Sequence, residues 1–352
     1  MHYYILCIIT SCIITSCTVY HSSLDEVLLF DTPAFQDPDN TSNSLVSLQA
    51  FVYLKQLDLT TLTSTLTTWT SGKIGNSIET ALERLKLFAA VGVPGMLLSV
   101  GVAECSKQAT LSATSGLPDL SLSVMNASLG HCDGGNTFTG TLLNADDVVT
   151  TTIFPSGTNG FGVISDINDT VKVSHILNTI QFIKTTLFNN PEPVPGMPDL
   201  YASLTQTLND PPFIYITGSP YQLFPFLRNF LKASFPKSHS PIFSQNMTLA
   251  DVSQVIDVLS NPNDLLDYKL SQVDCVHGIY PNKSFVTVGD LTQSDPEVYA
   301  EVLTSDHIAD GAHNSNERFT AAFNGVPQTK YRIYTDDEVP GLALIDVAGG
   351  SC

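Results

Sequence analysis

The second half of the chain alternates apolar, β-rich runs with amphipathic stretches, and this alternation constrains the fold more than any other feature. After residue 161 the runs FGVISD, FIYITG, SFVTVGD and KYRIYTD are separated by SHILNTIQFIKTTLF, DLYASLTQTL, YQLFPFLRNFLKASF, LLDYKLSQVDCVHGIY and PEVYAEVL. Strands buried between helices on both faces form a parallel sheet. The pattern therefore predicts an α/β domain over residues 161–345, with ligands bound beyond the carboxyl ends of the strands.

The first half has a different pattern, in which short alternating runs are separated by Gly, Asn, Asp and Pro. The runs are EVLLF, SLVSLQAFVYL, GMLLSVGVAE, LSLSVMNASL and FTGTLLN, and they are typical of strands and turns. One stretch, ETALERLKLFAA, brings Leu82, Leu85 and Phe88 close to one helical face. We therefore expect a β-rich, mostly antiparallel, sandwich-like module with one helix over residues 24–160.

Charge and composition exclude some classes of partner. The chain has 352 residues, 43% of them hydrophobic and 14% charged, which is a globular composition. Its formal net charge is −19, with only 15 Lys and Arg residues. Nucleic acid is excluded as a partner because phosphate binding needs basic surfaces. Electrostatic attraction to anionic bilayers is also weakened.

The first twenty residues, MHYYILCIITSCIITSCTVY, form an apolar run with small residues near its end. This pattern predicts a cleaved signal peptide over residues 1–20 and a secreted, extracellular protein. The run carries no Lys or Arg and approaches spanning length, so a retained membrane anchor through residues 3–20 is the alternative. A third alternative is a lipoprotein cleavage box that ends at Cys17.

Cysteines and glycosylation motifs bear on the same question of export. Removal of the leader leaves four cysteines, an even number that permits two bridges: Cys105, Cys132, Cys275 and Cys352. We expect the pairs Cys105–Cys132 and Cys275–Cys352, and the alternative is four unbridged thiols. Five N-x-Ser/Thr motifs would matter only in a glycosylating pathway; they begin at Asn40, Asn126, Asn168, Asn246 and Asn282.

Polar side chains follow three of the predicted parallel strands. Asp166, Asn168, Asp169 and Thr170 follow FGVIS, Thr217 and Ser219 follow FIYI, Asp290 and Asp295 follow SFVTV, and Lys269 opens a helix before the last strand. Taken singly, each of these residues could be a turn or cap residue. Together they are the parts of a phosphotransfer site, in which one carboxylate attacks phosphorus and others hold a divalent cation.

Longer motifs in this half resemble a known family. VISDINDTVKVS, EPVPGMPDLYASL, FIYITGSPYQLFPFLRNFL and YKLSQVDCVHGIYPNKSFVTVGDLTQSDPEVYAEV resemble the catalytic domain of actin-patch phosphatidate phosphatases, within the haloacid dehalogenase superfamily. The resemblance spans about Gly162 to Val302 and is weak before it. It implies a haloacid dehalogenase-like parallel-sheet domain, Mg²⁺ as cofactor, and a lipid phosphate or another exposed phosphomonoester as substrate.

The resemblance also implies a role for each matching residue. Asp166 would be the nucleophile that forms an aspartyl-phosphate, oriented with the help of Thr170. Thr217 and Lys269 would bind the transferring phosphoryl group. The metal ligands would be Asp166, Asp290 and the backbone carbonyl of Asn168, and Asp295 would hold the metal shell.

Asn168 departs from the family pattern, which has an aspartate two residues after the nucleophile. That aspartate gives a proton to the leaving alkoxide, and a general acid typically contributes about 10²- to 10⁴-fold in rate. Asparagine keeps the backbone carbonyl but cannot supply the proton. Asp169 is adjacent, but we expect it to project differently. Two hypotheses follow: a slow or altered phosphatase, or a catalytically inactive secreted pseudophosphatase that acts as a binding protein.

The spacing of the motifs leaves no room for a large cap domain. Thr217 lies 47 residues after Thr170 and 52 before Lys269, and the core helices need most of that length. We therefore expect an open site, which suits a bulky or membrane-held substrate and implies peripheral contact with a membrane. His175 and His277 fall in predicted helices, and we expect packed or exposed side chains rather than ligands. The chain has no H-E-x-x-H, G-x-S-x-G or P-loop motif.

Overall fold

The computed structural model describes residues 25–54, 60, 63–64, 77–93, 96–113, 123–143, 145, 147–245, 265–291, 294–304, 316–335, 337–342, 344–345 and 347–348. The leader predicted over residues 1–20 lies outside these ranges, as do Asn246 and Cys352. Within them, no helix combines the length and the apolar character that crossing a bilayer would require.

The described secondary structure follows the order that the sequence predicts, β-rich first and mixed α/β afterwards. The strands are β1 (Asp25–Leu29), β2 (Thr32–Gln36), β3 (Ser44–Leu54), β4 (Met96–Val102), β5 (Ala109–Ala113), β6 (Ser123–Gly130), β7 (Phe138–Leu142), β8 (Thr150–Pro155), β9 (Asn159–Ser165), β10 (Phe213–Pro220), β11 (Ile242–Gln245) and β12 (Asn282–Val288). The α-helices are α1 (Ser77–Leu85), α2 (Thr179–Ile183), α3 (Met197–Thr207), α4 (Phe224–Ser234), α5 (Leu265–Ile279), α6 (Asp295–Thr304), α7 (Asn316–Ala322) and α8 (Val339–Leu342).

The strands of the first half form one curled sheet rather than the two facing sheets of a sandwich. Its order is β1-β3-β2-β8-β7-β4-β5, with β6 paired to β3. The strand β3 is long enough to pair with β1 and β2 at successive positions and with β6 as well. Near the start of β5, the Lys107 amide donates to the Leu129 carbonyl of β6. The sheet therefore curls until its β5 edge lies beside β6.

The second half contains a four-stranded parallel sheet in the order β11-β10-β9-β12. Three of the predicted runs form its strands, but the fourth prediction is wrong. KYRIYTD, residues 330–336, contains no strand among its described residues, which are 330–335. The fourth strand is the short β11, which pairs with β10 from Ile242 onward. The mixed α/β fold and the β-rich first half are confirmed, and the division into two domains near residue 160 stays a prediction.

The helices agree with the predicted stretches except before α2. The stretch SHILNTIQFIKTTLF was predicted to be helical from its first residues, but the α-helix begins only at Thr179 and continues as a π-helical turn over Lys184–Phe188. His175 instead has a φ of 58°, which a helix does not accommodate. Asn178 caps the helix by accepting a hydrogen bond from the Gln181 amide.

One hydrophobic cluster joins the two sheets. Phe30 and Phe51 from the curled sheet pack with Tyr221 and Phe224, which precede and begin α4. Burial of aromatic side chains supplies much of the stabilisation in such cores. The parallel sheet, which carries the predicted site residues, is therefore packed against the β-rich half.

The cysteines and glycosylation motifs divide between the surface and the interior. Cys105 and Cys132 form the predicted disulfide, whereas Cys275 is exposed and its predicted partner lies outside the described residues. Asn40 and Asn282 are exposed. Asn168 is 3% exposed, so its motif is closed to a glycosylating enzyme in the folded protein.

Candidate active site

The predicted site residues lie at one edge of the parallel sheet because they follow strands that run in the same direction. Asp166 comes directly after β9, and Thr217 lies near the end of β10. Asp290 follows β12, whose last residue Val288 pairs with Ser165 of β9. The Asp166 amide donates to the Val288 carbonyl, at 2.9 Å. The register thus brings the ends of three strands, and their polar side chains, to one place.

Lys269 joins two of the carboxylates at this edge. Its Nζ lies 2.9 Å from Oδ1 of Asp166 and also forms an ion pair with Oδ1 of Asp295. All three side chains are at most 2% exposed. Lys269 comes from α5 and Asp295 begins α6, so the packing of two helices on the sheet assembles the ion pairs. Thr170 adds a hydrogen bond from Oγ1 to Oδ2 of Asp166, at 3.2 Å.

A glycine lets Asp295 approach the end of β12. A Cβ atom added at Gly289 would lie 2.5 Å from Oδ2 of Asp295 and 2.7 Å from its Cγ. That approach is too close for any other residue type. With glycine present, the Asp290 amide donates to Oδ2 of Asp295 at 3.2 Å. Asp295 is therefore fixed by Lys269 on one oxygen and by backbone on the other.

The carboxylates form a set that could hold a divalent cation. One oxygen from each of Asp166, Asp290 and Asp295 lies within 4.8 Å of the others, and all three residues are buried. Carboxylate oxygens are the ligands that Mg²⁺ takes in proteins. Three ionised carboxylates and one neighbouring ammonium carry a net negative charge, and burial of that charge is costly unless a further cation offsets it. The donor set therefore fits the predicted Mg²⁺, which would bind to Asp166 and Asp290 with Asp295 beside them.

Burial and mutual repulsion govern the protonation of the set. Burial raises the pKa of Asp166 to about 7, because the stabilising charge of Lys269 does not offset desolvation. Burial likewise raises the pKa of Asp295 to about 6, despite its ion pair with Lys269. Burial alone would lower the pKa of Lys269, but Asp166 and Asp295 outweigh it and raise that pKa. A divalent cation would favour the ionised form of both carboxyl groups.

Asn168 lies in a chain of hydrogen bonds at the same edge. Its Nδ2 donates to Oγ of Ser219 at 3.0 Å and to Oγ1 of Thr217 at 3.3 Å. Its Oδ1 accepts from Oγ of Ser174 at 2.9 Å. Oγ of Ser174 in turn accepts from Nζ of Lys172 at 2.6 Å. All five side chains are buried.

Asp169 points away from these groups, as the sequence analysis expected. Its φ of 57° is left-handed. Oδ1 accepts from the backbone amides of Ser174 and His175, and Oδ2 accepts from the amide of Ile176. The Asp169 carboxylate is thus occupied in holding the following loop, and it is not placed to act as a substitute acid.

The structure brings together the side chains of Asp166, Asn168, Thr170, Thr217, Lys269, Asp290 and Asp295, and their chemical roles stay predictions. His175 and His277 are exposed and are absent from the contacts of this cluster. Lys172 and Ser174 were missed by the sequence analysis. The signal that could have found Lys172 is a lysine between two valines in a loop that otherwise reads as buried.

Comparison with known proteins finds matches to the second half of the chain. Residues 161–308 match the family described as "Phosphatidate phosphatase APP1, catalytic domain". A 143-residue segment is 28% identical to the protein named phosphatidate phosphatase APP1 from Saccharomyces cerevisiae, and this alignment covers 40% of the present chain and 23% of the yeast protein. The resemblance inferred from the motifs is confirmed: residues 161–308 are similar to the catalytic domain of phosphatidate phosphatase APP1.

Proposed function

We propose that this protein is a Mg²⁺-dependent phosphomonoester hydrolase of the phosphatidate phosphatase type. The observation that carries the proposal is a buried carboxylate, Asp166, at the carboxyl edge of a parallel sheet. Lys269 pairs with this carboxylate and Thr170 donates to it, within the segment that matches the phosphatase family. The name of the yeast relative indicates phosphatidate as a substrate, and a lipid phosphate is accordingly the proposed substrate class.

A haloacid dehalogenase-like fold is part of the proposal. Two features support it: all four strands of the second sheet run parallel in the order β11-β10-β9-β12, and the acidic side chains follow the carboxyl ends of β9 and β12. In open parallel sheets, ligands bind at this edge.

In the proposed reaction Asp166 attacks the phosphorus of the monoester. A bond forms between a carboxylate oxygen and phosphorus, and the bond from phosphorus to the leaving alkoxide breaks. Water then hydrolyses the aspartyl-phosphate and releases inorganic phosphate. Lys269 and Thr217 would hold phosphoryl oxygens during both steps. Mg²⁺, when bound, supplies positive charge that offsets the charge on the phosphoryl group.

The protonation of the leaving group is where this chain would differ from its relatives. Asn168 stands at the position of the family's general acid and has no proton to transfer at ordinary pH. The leaving alkoxide would have to take its proton from water. We therefore propose slow hydrolysis of alkyl phosphates and faster hydrolysis of phosphates with weakly basic leaving groups.

Export of the protein is proposed on the strength of residues 1–20 and one bridge. The Cys105–Cys132 disulfide supports an oxidising compartment, because disulfides are rare in the reducing cytosol. Retention of the leader as a membrane anchor is the alternative, and analysis of the mature N-terminus by mass spectrometry would separate the two.

The test of the function is phosphate release by the purified full chain with Mg²⁺. The substrates are an aryl phosphate and phosphatidate in detergent micelles. We expect release from the aryl phosphate, loss of activity with EDTA and its return with added Mg²⁺. Asp166→Asn should abolish release, whereas Asp274→Asn is the matched control, because Asp274 is exposed on α5. Equal activity in both variants would contradict the proposed nucleophile.

Asn168 favours a second candidate function, a binding protein that keeps the fold and the cation site without turnover. In that case the wild type would release no phosphate from either substrate. It would still bind Mg²⁺, measured by calorimetry, and Asp290→Asn would weaken that binding. Turnover of the aryl phosphate that depends on Asp166 would exclude this candidate.

A further inference from the structure

Lys172 needs an explanation because a lysine is rarely buried without a paired carboxylate. It is 1% exposed, and its ammonium donates to the neutral hydroxyl of Ser174 at 2.6 Å. Burial lowers the pKa of Lys172 to about 8, against the opposing charge of Asp169. Neither Lys172 nor Ser174 was predicted as a site residue, and the proposed reaction does not use either of them.

The hydroxyl of Ser174 passes the influence of Lys172 to Asn168. Its single proton has two acceptors within reach: Oδ1 of Asn168 at 2.9 Å and the Lys172 carbonyl at 3.1 Å. The Lys172 carbonyl already accepts a hydrogen bond from the Asp169 amide at 2.8 Å. The Asn168 oxygen is the closer of the two acceptors to the Ser174 hydroxyl. With its lone pair bound by the ammonium, the Ser174 hydroxyl is oriented to donate to Asn168.

This arrangement fixes the direction of the Asn168 amide. If the amide were turned over, the Ser174 hydroxyl would lose Oδ1 of Asn168 as its closer acceptor, and its oxygen would have to accept from the NH₂ group as well as from the Lys172 ammonium. In the observed direction the NH₂ group faces the hydroxyls of Thr217 and Ser219. Chains of hydrogen bonds polarise one another in a buried environment, and the positive end of this chain strengthens the amide N–H groups as donors.

We propose that Lys172 and Ser174 are positioning residues that make Asn168 a polarised hydrogen-bond donor, one of whose two N–H groups exchanges the Thr217 hydroxyl, at 3.3 Å, for the leaving-group oxygen. This inference rests on the proposed function. Asn168 would stabilise the negative charge that develops on that oxygen without transferring a proton. The consequence is a substrate preference: the donor suffices for weakly basic leaving groups and falls short for alkoxides.

The test measures how kcat/KM depends on the basicity of the leaving group, for a series of aryl phosphates with Mg²⁺. Ser174→Ala and Lys172→Met should lower the rate for the most basic leaving group by about tenfold, the size of one hydrogen bond to a charged group. They should affect the least basic leaving group less, and the dependence on leaving-group basicity becomes steeper. Thr185→Val is the matched control, because Thr185 donates to the Ser174 carbonyl and does not contact the hydroxyl.

A double-mutant cycle separates positioning through Asn168 from a general effect on the fold. In an Asn168→Ala background, Ser174→Ala should cause no further steepening, since both residues act on the same donor. Independent, additive effects would overturn the inference. Retained thermal unfolding temperatures would show that the variants fold.

An NMR measurement tests the contact between Ser174 and Asn168 without turnover. The side-chain NH₂ signals of Asn168 in a ¹⁵N–¹H spectrum should shift and exchange faster with water in Ser174→Ala and Lys172→Met, but not in Thr185→Val. Unchanged Asn168 signals would overturn the inference whether or not the protein is active.

A wild type that releases no phosphate from any aryl phosphate overturns the proposed function and the catalytic part of this inference. An active wild type whose leaving-group dependence is unchanged in Ser174→Ala overturns this inference alone.

Discussion

Asn168 is held through the loop that contains it and through both ends of its side chain. Its backbone is held by the loop that Asp169 organises through three amide contacts. Its side chain is bound at both ends, by Ser174 on the oxygen and by Ser219 on the nitrogen. An amide fits this place because it donates and accepts at once. A carboxylate there would lack the protons that the hydroxyls of Ser219 and Thr217 now accept.

Asn168→Asp tests the proposed loss of the general acid. We expect hydrolysis of an alkyl phosphate to rise by about 10²-fold, since general acid catalysis is typically of that size. The gain should be smaller for an aryl phosphate, whose leaving group hardly needs a proton. Steady-state kinetics on both substrates with Mg²⁺ make the comparison, with Asp166→Asn as the inactive reference. Equal gains on the two substrates would show that Asn168 does something other than withhold a proton.

At the residue scale the sequence predicted the side chains that follow strands. Asp166, Thr217 and Asp290 were found because parallel strands end at one edge, and Lys269 and Asp295 because their motifs resemble the family. Lys172 could not be found in this way. The two flanking valines signal that Lys172 is buried, but its proposed role depends on the contact with Ser174, which no local pattern encodes.

At the scale of elements, the sequence predicted long strands better than short ones. KYRIYTD alternates in a way that is typical of a strand, yet its described part is not paired with the parallel sheet. The strand that pairs with β10 at this edge of the sheet is β11, a strand of four residues that follows α4. Four residues carry too little periodicity to identify. Their pairing is decided by the connection from α4, which returns the chain to the sheet edge.

An ion pair links the two sheets where β1 turns into β2. Asp31 lies between these strands and is buried, and Nε of Arg228 in α4 donates to its Oδ2 at 2.8 Å, while a second guanidinium nitrogen lies 2.8 Å from Oδ1. His239 lies 3.4 Å from the same carboxylate, and the Thr152 amide of β8 donates to it at 2.8 Å. A fork of this kind fixes orientation as well as distance. It holds α4 against the curled sheet.

This link predicts a pH-dependent stability that Asp31→Asn should remove. Burial opposes ionisation of Asp31, but the His239 imidazole at 3.4 Å and the charge of Arg228 outweigh it and lower its pKa. A lowered folded-state pKa stabilises the fold above the carboxyl's unfolded value of 3.8, and this stabilisation is lost as the pH falls through the folded value. At pH 7, Asp31→Asn should reduce the free energy of unfolding by about 2 kcal/mol.

Urea unfolding of both proteins, in EDTA and from pH 7 to pH 3, checks this expectation. The difference in free energy of unfolding between wild type and Asp31→Asn should shrink towards the acid end. Asp199→Asn is the control, since Asp199 is exposed at the start of α3. A difference that stays constant across the range would show that the Asp31 carboxylate does not carry the stabilisation.

At the scale of the whole molecule, charge and surface composition limit how a lipid substrate could be reached. A net charge of −19 opposes adsorption to anionic bilayers. Leu177 and Ile180 are 60% and 61% exposed, and they flank the N-terminus of α2. Leu177 directly follows Ile176, whose amide binds Asp169 as the amide of His175 does, and Ile180 lies three residues further on. Apolar side chains so close to the loop of Asn168 would favour contact with a neutral lipid surface beside the site.

Leu177→Ser combined with Ile180→Ser tests peripheral contact with lipid. We expect phosphatidate hydrolysis in vesicles of mainly zwitterionic lipid to fall by roughly tenfold, because each buried aliphatic side chain contributes about 1.5–3 kcal/mol and exposed residues bury only in part. Hydrolysis of a soluble aryl phosphate should be unchanged, since neither residue is among the contacts of Asp166.

The matched control is Leu143→Ser with Val148→Ser, which removes two exposed apolar side chains, 48% and 87% accessible, from the curled sheet. Equal losses in the two double variants, or a loss on the soluble substrate, would contradict a lipid-contacting role for α2. A selective loss on vesicles would show that the N-terminal end of α2, beside the loop that contains Asn168, faces the lipid surface.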